Sequence, residues 1–128
     1  GSHSSGRERL TITMKVLCCG GRNWTDRKRI HERLSQLPKG TIIIEGECRG
    51  ADVICRKIAI GLSLSVQAFP AKWHKYGRAA GSIRNQQMID EGKPDLIIAF
   101  HSNIALSRGT ADMVRRARKA SIPVEIIS

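Results

Sequence analysis

Aromatic residues are scarce in this chain, which holds 2 Trp, 1 Tyr and 2 Phe among its 128 residues. A surface that stacks single-stranded nucleic acid is built from several aromatic side chains, so a dedicated platform of that kind is not favoured. Long apolar runs are also missing, because the longest, such as residues 42–44 and 96–100, fall far short of the roughly 20 residues that a membrane-spanning helix needs. Since no segment has the pattern of a secretion signal either, we expect a soluble, cytoplasmic protein with no membrane partner.

Cysteine is infrequent and lacks the spacing of a metal site. The four cysteines, Cys18, Cys19, Cys48 and Cys55, contain no C-x-x-C pair, so we predict no zinc site. We also expect no other metal and no cofactor. The adjacent Cys18 and Cys19 are expected to point to opposite faces of a strand. We interpret the cysteines as buried or partly buried reduced thiols, which behave as small hydrophobes, with Cys48 as the exception.

Acidic residues are outnumbered two to one by basic ones. The chain has 22 Lys and Arg against 11 Asp and Glu, which gives a net charge of +11. Such an excess attracts nucleic acid, acidic lipid or phosphorylated metabolites, and charge alone does not choose among them. The hydrophobic share of 41% is enough for one continuous core at this length.

Apolar strands alternate with amphipathic helices along most of the chain. We treat residues 1–13 as a tag remnant and leader and residues 14–128 as a single domain. Five strands are predicted at residues 14–19, 41–45, 64–69, 95–100 and 124–127. Helices are predicted at residues 26–37, 51–62 and 109–120, with Thr25 as the first N-cap and a loop and a helix within residues 71–92. This alternation predicts an α/β fold, a doubly wound, Rossmann-like three-layer sandwich with a mainly parallel sheet.

Glycine and arginine recur where the predicted strands end. In an open parallel sheet, ligands bind outside the carboxyl ends of the strands, next to the starts of helices. Three such loops, at residues 20–22, 45–52 and 107–112, combine glycine, which admits close backbone approach, with arginine, whose fork matches phosphate oxygens. They predict a site for a phosphate-bearing, nucleotide-derived small molecule. None of them is a dinucleotide fingerprint or a P-loop, which disfavours ATP hydrolysis.

The candidate ligand-binding residues come from these loops and from the segment before the fourth strand. They are Gly20, Gly21, Arg22, Trp24, Gly46, Arg49, Gly50, Ala51, Asp52, Trp73, Arg78, Gly81, Arg84, Asn85, Ser107, Arg108, Gly109, Thr110 and Asp112.

Several of these residues also have a purely structural interpretation. Asp52 and Asp112 are predicted in the first turns of helices, where they either interact with the helix dipole or hold ribose hydroxyls. Trp24 either stacks on a base or packs back against the first helix. Glu45 ends a strand and would suit acid or base chemistry if buried. On the last helix, a basic stripe is expected to face water: Arg115, Arg116, Arg118 and Lys119.

Five sequence blocks carry a family resemblance. In order they are KVLCCGGRNWTD, EGECRGAD, FPAKWHKYGRAAGSIRNQQM, KPDLIIAF and SRGTADMVRRA. From Met14 onward the chain resembles the YspA-core-like (YAcAr) branch of the SLOG superfamily, small Rossmannoid proteins of bacteria and phages. The resemblance implies a doubly wound sheet and a site for nucleotides or nucleotide-derived signals. The superfamily includes Smf/DprA proteins, which bind single-stranded DNA, and LOG enzymes, which cut the N-glycosidic bond of nucleoside 5′-monophosphates.

The resemblance to LOG enzymes extends to one loop. Residues 107–110 resemble their Gly-Gly-x-Gly-Thr loop, Asp112 stands where they have glutamate, and Arg84 resembles their site arginine. The loop lacks two glycines and the acid is one methylene shorter, which favours binding or sensing over hydrolysis. The alternatives are a LOG-like N-glycoside hydrolase, with Asp112, Arg84 and Glu45 as candidate catalytic residues, and a nucleic-acid-binding protein. Relatives of this architecture also imply a homodimer.

Overall fold

A parallel β-sheet forms the centre of the protein. The computed structural model describes residues 14–21, 23–47, 50–101 and 108–128. Within these ranges five strands pair in the order β3-β2-β1-β4-β5, and every pairing is parallel. The strands are β1 (Lys15–Gly20), β2 (Ile42–Glu45), β3 (Ser65–Ala68), β4 (Leu96–Phe100) and β5 (Val124–Ile127). Each strand lies within one or two residues of its predicted position.

Helices cover both faces of this sheet. The first face is covered by α1 (Arg27–Ser35) and α2 (Ala51–Gly61). The second is covered by α4 (Ala80–Asp90) and α5 (Arg108–Lys119), and α4 is preceded by the short helix α3 (Trp73–Tyr76) and a 3₁₀ turn (Gly77–Ala79). The predicted doubly wound sandwich is therefore confirmed. No helix in the described ranges is long and apolar enough to cross a bilayer.

The sheet separates two hydrophobic cores, and β1 contributes to both. Cys18 packs with Ile30 of α1 and Cys55 of α2, whereas Cys19 packs on the other face with Met88 and Met113. Since successive residues of a strand point to opposite faces, β1 alternates between the cores. The predicted opposite orientation of the two adjacent cysteines is confirmed, and all three described cysteines are buried free thiols. Cys48 lies outside the described residues.

Two predicted helix starts are wrong by one residue. The N-cap of α1 is Asp26 rather than Thr25, because the Asp26 carboxylate accepts a hydrogen bond from the amide of Arg29 at 3.1 Å. Helix α5 already begins at Arg108, which places Asp112 in its second turn instead of its first. Asp52 does lie in the first turn of α2, as predicted.

Candidate functional site

The winding direction of the sheet reverses between β1 and β4. The chain runs outward from β1 through β2 to β3, then returns to β4 on the other side of β1. In folds of this kind the crevice at the reversal is the usual ligand position. Gly20 pairs with Phe100 at this point, and the amide of Gly21 donates to the Phe100 carbonyl at 3.1 Å. The glycine loop after β1 therefore lies at the reversal, and it follows the carboxyl end of its strand as the sequence predicted.

Three of the predicted site glycines are required by the protein's own packing. A Cβ on Gly20 would overlap the Phe100 carbonyl oxygen and the Ala51 side chain. A Cβ on Gly21 would lie 2.8 Å from the imidazole ring of His101, and one on Gly46 would overlap the guanidinium of Arg84. These glycines are needed because neighbouring groups approach the backbone closely. Their presence alone is therefore no sign of a ligand.

Gly109 and Gly50 differ from these three. A Cβ on Gly109, the second residue of α5, would meet none of the described residues within 4 Å. The packing of the described residues therefore does not require glycine at this position. Gly50 precedes α2 with φ +83°, a conformation that favours glycine. Among Gly20, Gly21, Gly46 and Gly109, Gly109 is the one whose Cβ position meets no described residue.

Arg84 is a buried clamp between α4 and the loop after β2. Its side chain is 7% exposed, and Nη1 donates to the Gly46 carbonyl at 2.6 Å. Nε donates to Oδ1 of Asn85 at 3.0 Å. The Gly46 amide in turn donates to Oδ2 of Asp52 at 3.1 Å. Arg84 and Asp52 thus hold Gly46 from both sides, so the structure brings together three predicted site residues.

Asn85 joins this clamp to Asp112. Its amide nitrogen Nδ2 donates to Asp112 Oδ2 at 3.1 Å and to the Gly109 carbonyl at 3.2 Å. Arg116 Nε donates to the same Oδ2 at 2.8 Å, and Arg115 Nη2 donates to Oδ1 at 2.6 Å. Asp112 is therefore held by side chains of α4 and α5. Because it lies in the second turn of α5, it is not the first-turn acid that would interact with the helix dipole.

The charge of Asp112 is fixed by these donors. Burial raises the pKa of this carboxyl, but the hydrogen bonds from Arg116 and Asn85 outweigh burial, so that its pKa lies below the ordinary value of 3.8. Asp112 is therefore ionised at neutral pH. A carboxylate in this state can hold a hydroxyl group or stabilise positive charge, but it has no proton to give.

Glu45 is in the opposite electrostatic situation. It ends β2, is fully buried, and its Oε1 accepts from the Glu47 amide at 3.0 Å. Within the described ranges no group hydrogen-bonds to Oε2. Burial raises the pKa of Glu45 from 4.5 to about 7; the Glu47 amide lowers it, and the charges of Asp52 and Glu47 raise it. The condition set by the sequence, that Glu45 be buried, is met.

The two candidate tryptophans occupy different surroundings. Trp24 packs on the first core, with its ring centroid 5.8 Å from that of Phe100, and its Nε1 donates to the Asp26 carbonyl at 3.0 Å. This is the packing against the first helix that the sequence left as one of two options. Trp73 is exposed on α3 and lies over Gly81, where a Cβ would be 3.4 Å from its Cη2 atom. Its stacking role stays a prediction.

The remaining predicted residues are distributed around these clusters. Ala51 starts α2, and its amide donates to the Gly21 carbonyl at 3.1 Å. Thr110 is buried in α5, Arg108 is exposed at its start, and Arg78 is exposed in the 3₁₀ turn. Arg22, Arg49 and Ser107 lie outside the described residues.

Sequence reasoning assigned Arg116 to the solvent-facing stripe, which is wrong. Its side chain is 28% exposed and bridges two elements, from Asp112 on its own helix to Oε1 of Gln86 on α4 at 2.8 Å. The spacing of four residues between Asp112 and Arg116 is a signal for the first of these contacts. Nothing in the sequence indicated the contact with Gln86, because it depends on how α4 packs beside α5.

A groove of about 540 Å³ runs along α4. Its lining comes from residues 70–91 and from Arg116. The walls combine apolar and polar side chains, among them Lys72, Tyr76, Ile83, Arg84, Gln86 and Gln87. The groove adjoins the predicted cleft, because Arg84 and Arg116 line it and also contact Gly46 and Asp112.

The fold and the site define a doubly wound, Rossmann-like α/β protein with a polar cluster at the carboxyl edge of its sheet. A family model described as the YspA, cpYpsA-related SLOG family matches residues 14–76. The Gene 61 protein of Mycobacterium phage D29 is 34% identical over 119 residues, covering 86% of this chain and 93% of that protein. The chain belongs to the YspA, cpYpsA-related SLOG family. The predicted family resemblance is confirmed.

A solved structure shows the same fold. The chain resembles DNA processing protein A (DprA) from Streptococcus pneumoniae with a TM-score of 0.73 and 16% sequence identity. The match covers 91% of this chain and 50% of DprA, so the chain spans half the length of that protein. At this identity the likeness shows the shared architecture, which is the five-stranded parallel sheet with its flanking helices.

Proposed function

We propose that the protein binds or senses a nucleotide-derived, phosphate-bearing small molecule in the cleft at the carboxyl ends of β1 and β4. The observation that carries the proposal is that no described residue lies within 4 Å of a Cβ position at Gly109, whereas such a position at Gly20, Gly21, Gly46 or Gly81 meets another residue. The first amides of a helix lack intrahelical partners and attract phosphate. Gly109 is the second residue of α5, so a phosphate can approach the backbone there.

The surrounding charges suit an anionic ligand with a sugar. Arg108 is exposed beside Gly109 and offers a guanidinium for phosphate. Asp112, ionised and one helical turn further on, offers carboxylate oxygens to hydroxyl groups. Membership in the SLOG family supports a nucleotide-related ligand. We also propose that the protein pairs into a homodimer, which size-exclusion chromatography with light scattering tests.

Calorimetry tests the proposal directly. The panel consists of nucleoside 5′-monophosphates, NAD, ADP-ribose and cyclic nucleotides. We expect at least one compound to bind with a stoichiometry of one per chain, and inorganic phosphate to bind more weakly than that compound. If no compound in the panel releases or absorbs heat or shifts the melting temperature, the proposal is wrong.

The variant Gly109→Ala locates the site within the protein. A methyl group there meets no atom of the described residues, so the fold is kept, and the unfolding free energy rises by up to about 1 kcal/mol because alanine favours helix. The same methyl group obstructs a phosphate on the helix start, and we expect about tenfold weaker binding, equivalent to about 1.4 kcal/mol.

Gly61→Ala is the matched control. Gly61 is the last residue of α2, and a Cβ there also meets nothing within 4 Å. We expect wild-type affinity in this variant. Equal affinities in the two alanine variants and the wild type would place the ligand elsewhere.

A LOG-like N-glycoside hydrolase is the second candidate, favoured by the contrast between two carboxyl groups. Asp112 is held ionised, whereas the pKa of Glu45 is raised to about 7. Carboxyl groups whose pKa values are pushed apart suit complementary roles, here a charge stabiliser and a general acid. The test is release of free base from a nucleoside 5′-monophosphate by wild type, Asp112→Asn and Glu45→Gln. Full activity in both variants would exclude these roles.

A further inference from the structure

Two of the five aromatic residues are left exposed, next to each other. Phe69 and Phe100 are buried and Trp24 packs on the first core. By contrast, Trp73 is 49% exposed and Tyr76 is 38% exposed, and both lie on the single turn of α3. Exposed aromatic surface that is clustered rather than scattered commonly marks a binding surface. The low aromatic content of the sequence does not reveal that these two rings lie close together on the surface.

Basic residues surround this pair. Residues 72–78, here called the basic aromatic turn, read KWHKYGR, and every residue of the segment is exposed. Lys72, Lys75 and Arg78 carry positive charge, and the segment has no acidic residue. The Lys75 ammonium lies 5.2 Å from the centre of the Tyr76 ring. Aromatic faces between cations are the combination that binds single-stranded nucleic acid, where rings stack on bases and cations neutralise phosphates.

The groove along α4 begins at this turn. Lys72 and Tyr76 line it, together with the side-chain amide of Gln87 and, at the end of α4, the carboxylates of Asp90 and Glu91. The amide of Gln86 is already bonded to Asp90 and Arg116. Amide groups can donate to and accept from the edges of a base, and a volume of about 540 Å³ admits a nucleoside. A concave surface with hydrogen-bonding walls suits an unstacked base. A protein surface that binds a lipid bilayer is instead convex and apolar.

We propose that the basic aromatic turn and the adjoining groove bind single-stranded nucleic acid, with bases stacked on Trp73 and Tyr76 and the phosphates near Lys72, Lys75 and Arg78. These residues differ from Arg108, Gly109 and Asp112, on which the proposed function rests. Binding of this kind explains why two of the few aromatic residues are exposed. It also gives a role to part of the net charge of +11, because the three cations would neutralise phosphates.

Fluorescence anisotropy with a labelled oligothymidylate tests the proposal, with the duplex of the same length and phosphatidylserine vesicles as competing partners. We expect the single strand to bind more tightly than the duplex and to resist displacement by the vesicles. The affinity should fall steeply with salt. Equal or tighter binding to the duplex, or displacement by vesicles, overturns the proposal.

Variants at the aromatic positions distinguish stacking from general charge. Trp73→Leu and Tyr76→Leu keep apolar bulk but lose the ring face, and each should weaken binding to the single strand about fivefold to a hundredfold. Trp73→Phe keeps a ring and should lose less than Trp73→Leu. Because both positions are exposed, the melting temperatures should stay close to that of the wild type, which confirms that the variants are folded.

A pair of lysine variants provides the charge control. Lys72→Ala should lower the slope of log affinity against log salt by about 0.7, the value for one phosphate contact on a single strand. Lys57→Ala removes an equally exposed charge from α2 on the opposite face of the sheet and should leave this slope unchanged. Wild-type affinity in both leucine variants, or equal slopes in the two lysine variants, overturns the proposal.

Discussion

The buried carboxyl of Glu45 gives the protein a measurable pH dependence of stability. Its pKa is raised from 4.5 to about 7, chiefly by burial. Between these two values the folded protein keeps a proton that the unfolded chain has lost. The contribution of Glu45 to stability therefore falls as the pH rises from about 4.5 to about 7 and is constant above that range, with a total loss on the order of 3 kcal/mol.

Glu45→Gln should remove this dependence, since glutamine does not ionise. We expect the free energy of unfolding of the variant, relative to the wild type, to increase by about 2 to 3 kcal/mol between about pH 5 and about pH 8. Urea unfolding at both pH values measures this. A difference between variant and wild type that does not change with pH would show that Glu45 keeps an ordinary pKa.

Arg84 is the residue on which the loop after β2 depends. Arg84→Leu removes the donors to the Gly46 carbonyl and to Asn85 Oδ1 and leaves buried acceptors unpaired. We expect the free energy of unfolding to fall by about 2 to 4 kcal/mol. Arg118→Leu, which changes an exposed arginine of α5, should stay within about 0.5 kcal/mol of the wild type. Equal effects of the two variants would contradict the clamp.

At the scale of elements, Asn85 connects α4 to the start of α5. Asn85→Ala removes its bonds to the Gly109 carbonyl and the Asp112 carboxylate. We expect about 1 to 2 kcal/mol lower stability, with Gln87→Ala on the same helix as control. Ligand affinity should fall as well, because Gly109 and Asp112 lose their fixed positions. If the variant were destabilised but bound the ligand with unchanged affinity, Asn85 would not contribute to the proposed site.

The order of the elements could be predicted from the sequence, and the ends of some helices could not. Alternation of apolar strands with amphipathic helices reflects burial, which is averaged over many residues, so each strand and long helix was found. The start of α1 depends on which of two neighbouring polar residues, Thr25 or Asp26, reaches the Arg29 amide. That choice is made by local geometry, which periodicity does not resolve.

The candidate site was predictable in position and less so in detail. The glycines after β1 and β2 mark the carboxyl edge correctly, but Gly20 and Gly46 are explained by Phe100 and Arg84, which are distant in the sequence. The contact of Arg116 with Gln86 has the same origin in packing between helices. Sequence alone identifies glycine as required, and only the structure shows which group requires it.

For the molecule as a whole, the path of the chain places the candidate residues on two groups of elements. The glycines after β1 lie at the reversal between β1 and β4, and the basic aromatic turn precedes α4. The sequence grouped residues of both into one candidate site because both carry glycine, arginine and aromatic residues. In the structure α4 joins them, since Arg84 and Asn85 contact Gly46, Gly109 and Asp112.

The most direct measurement of the central claim is a titration of the isotopically labelled protein with nucleoside 5′-monophosphates and ADP-ribose, followed by proton–nitrogen correlation spectra. We predict that the amide signals that move first belong to Gly21, Gly109 and Thr110, and that those of α2 beyond its first turn stay in place. A spectrum unchanged by any of these compounds, or changes confined to residues 72–78, would contradict a nucleotide site in the cleft.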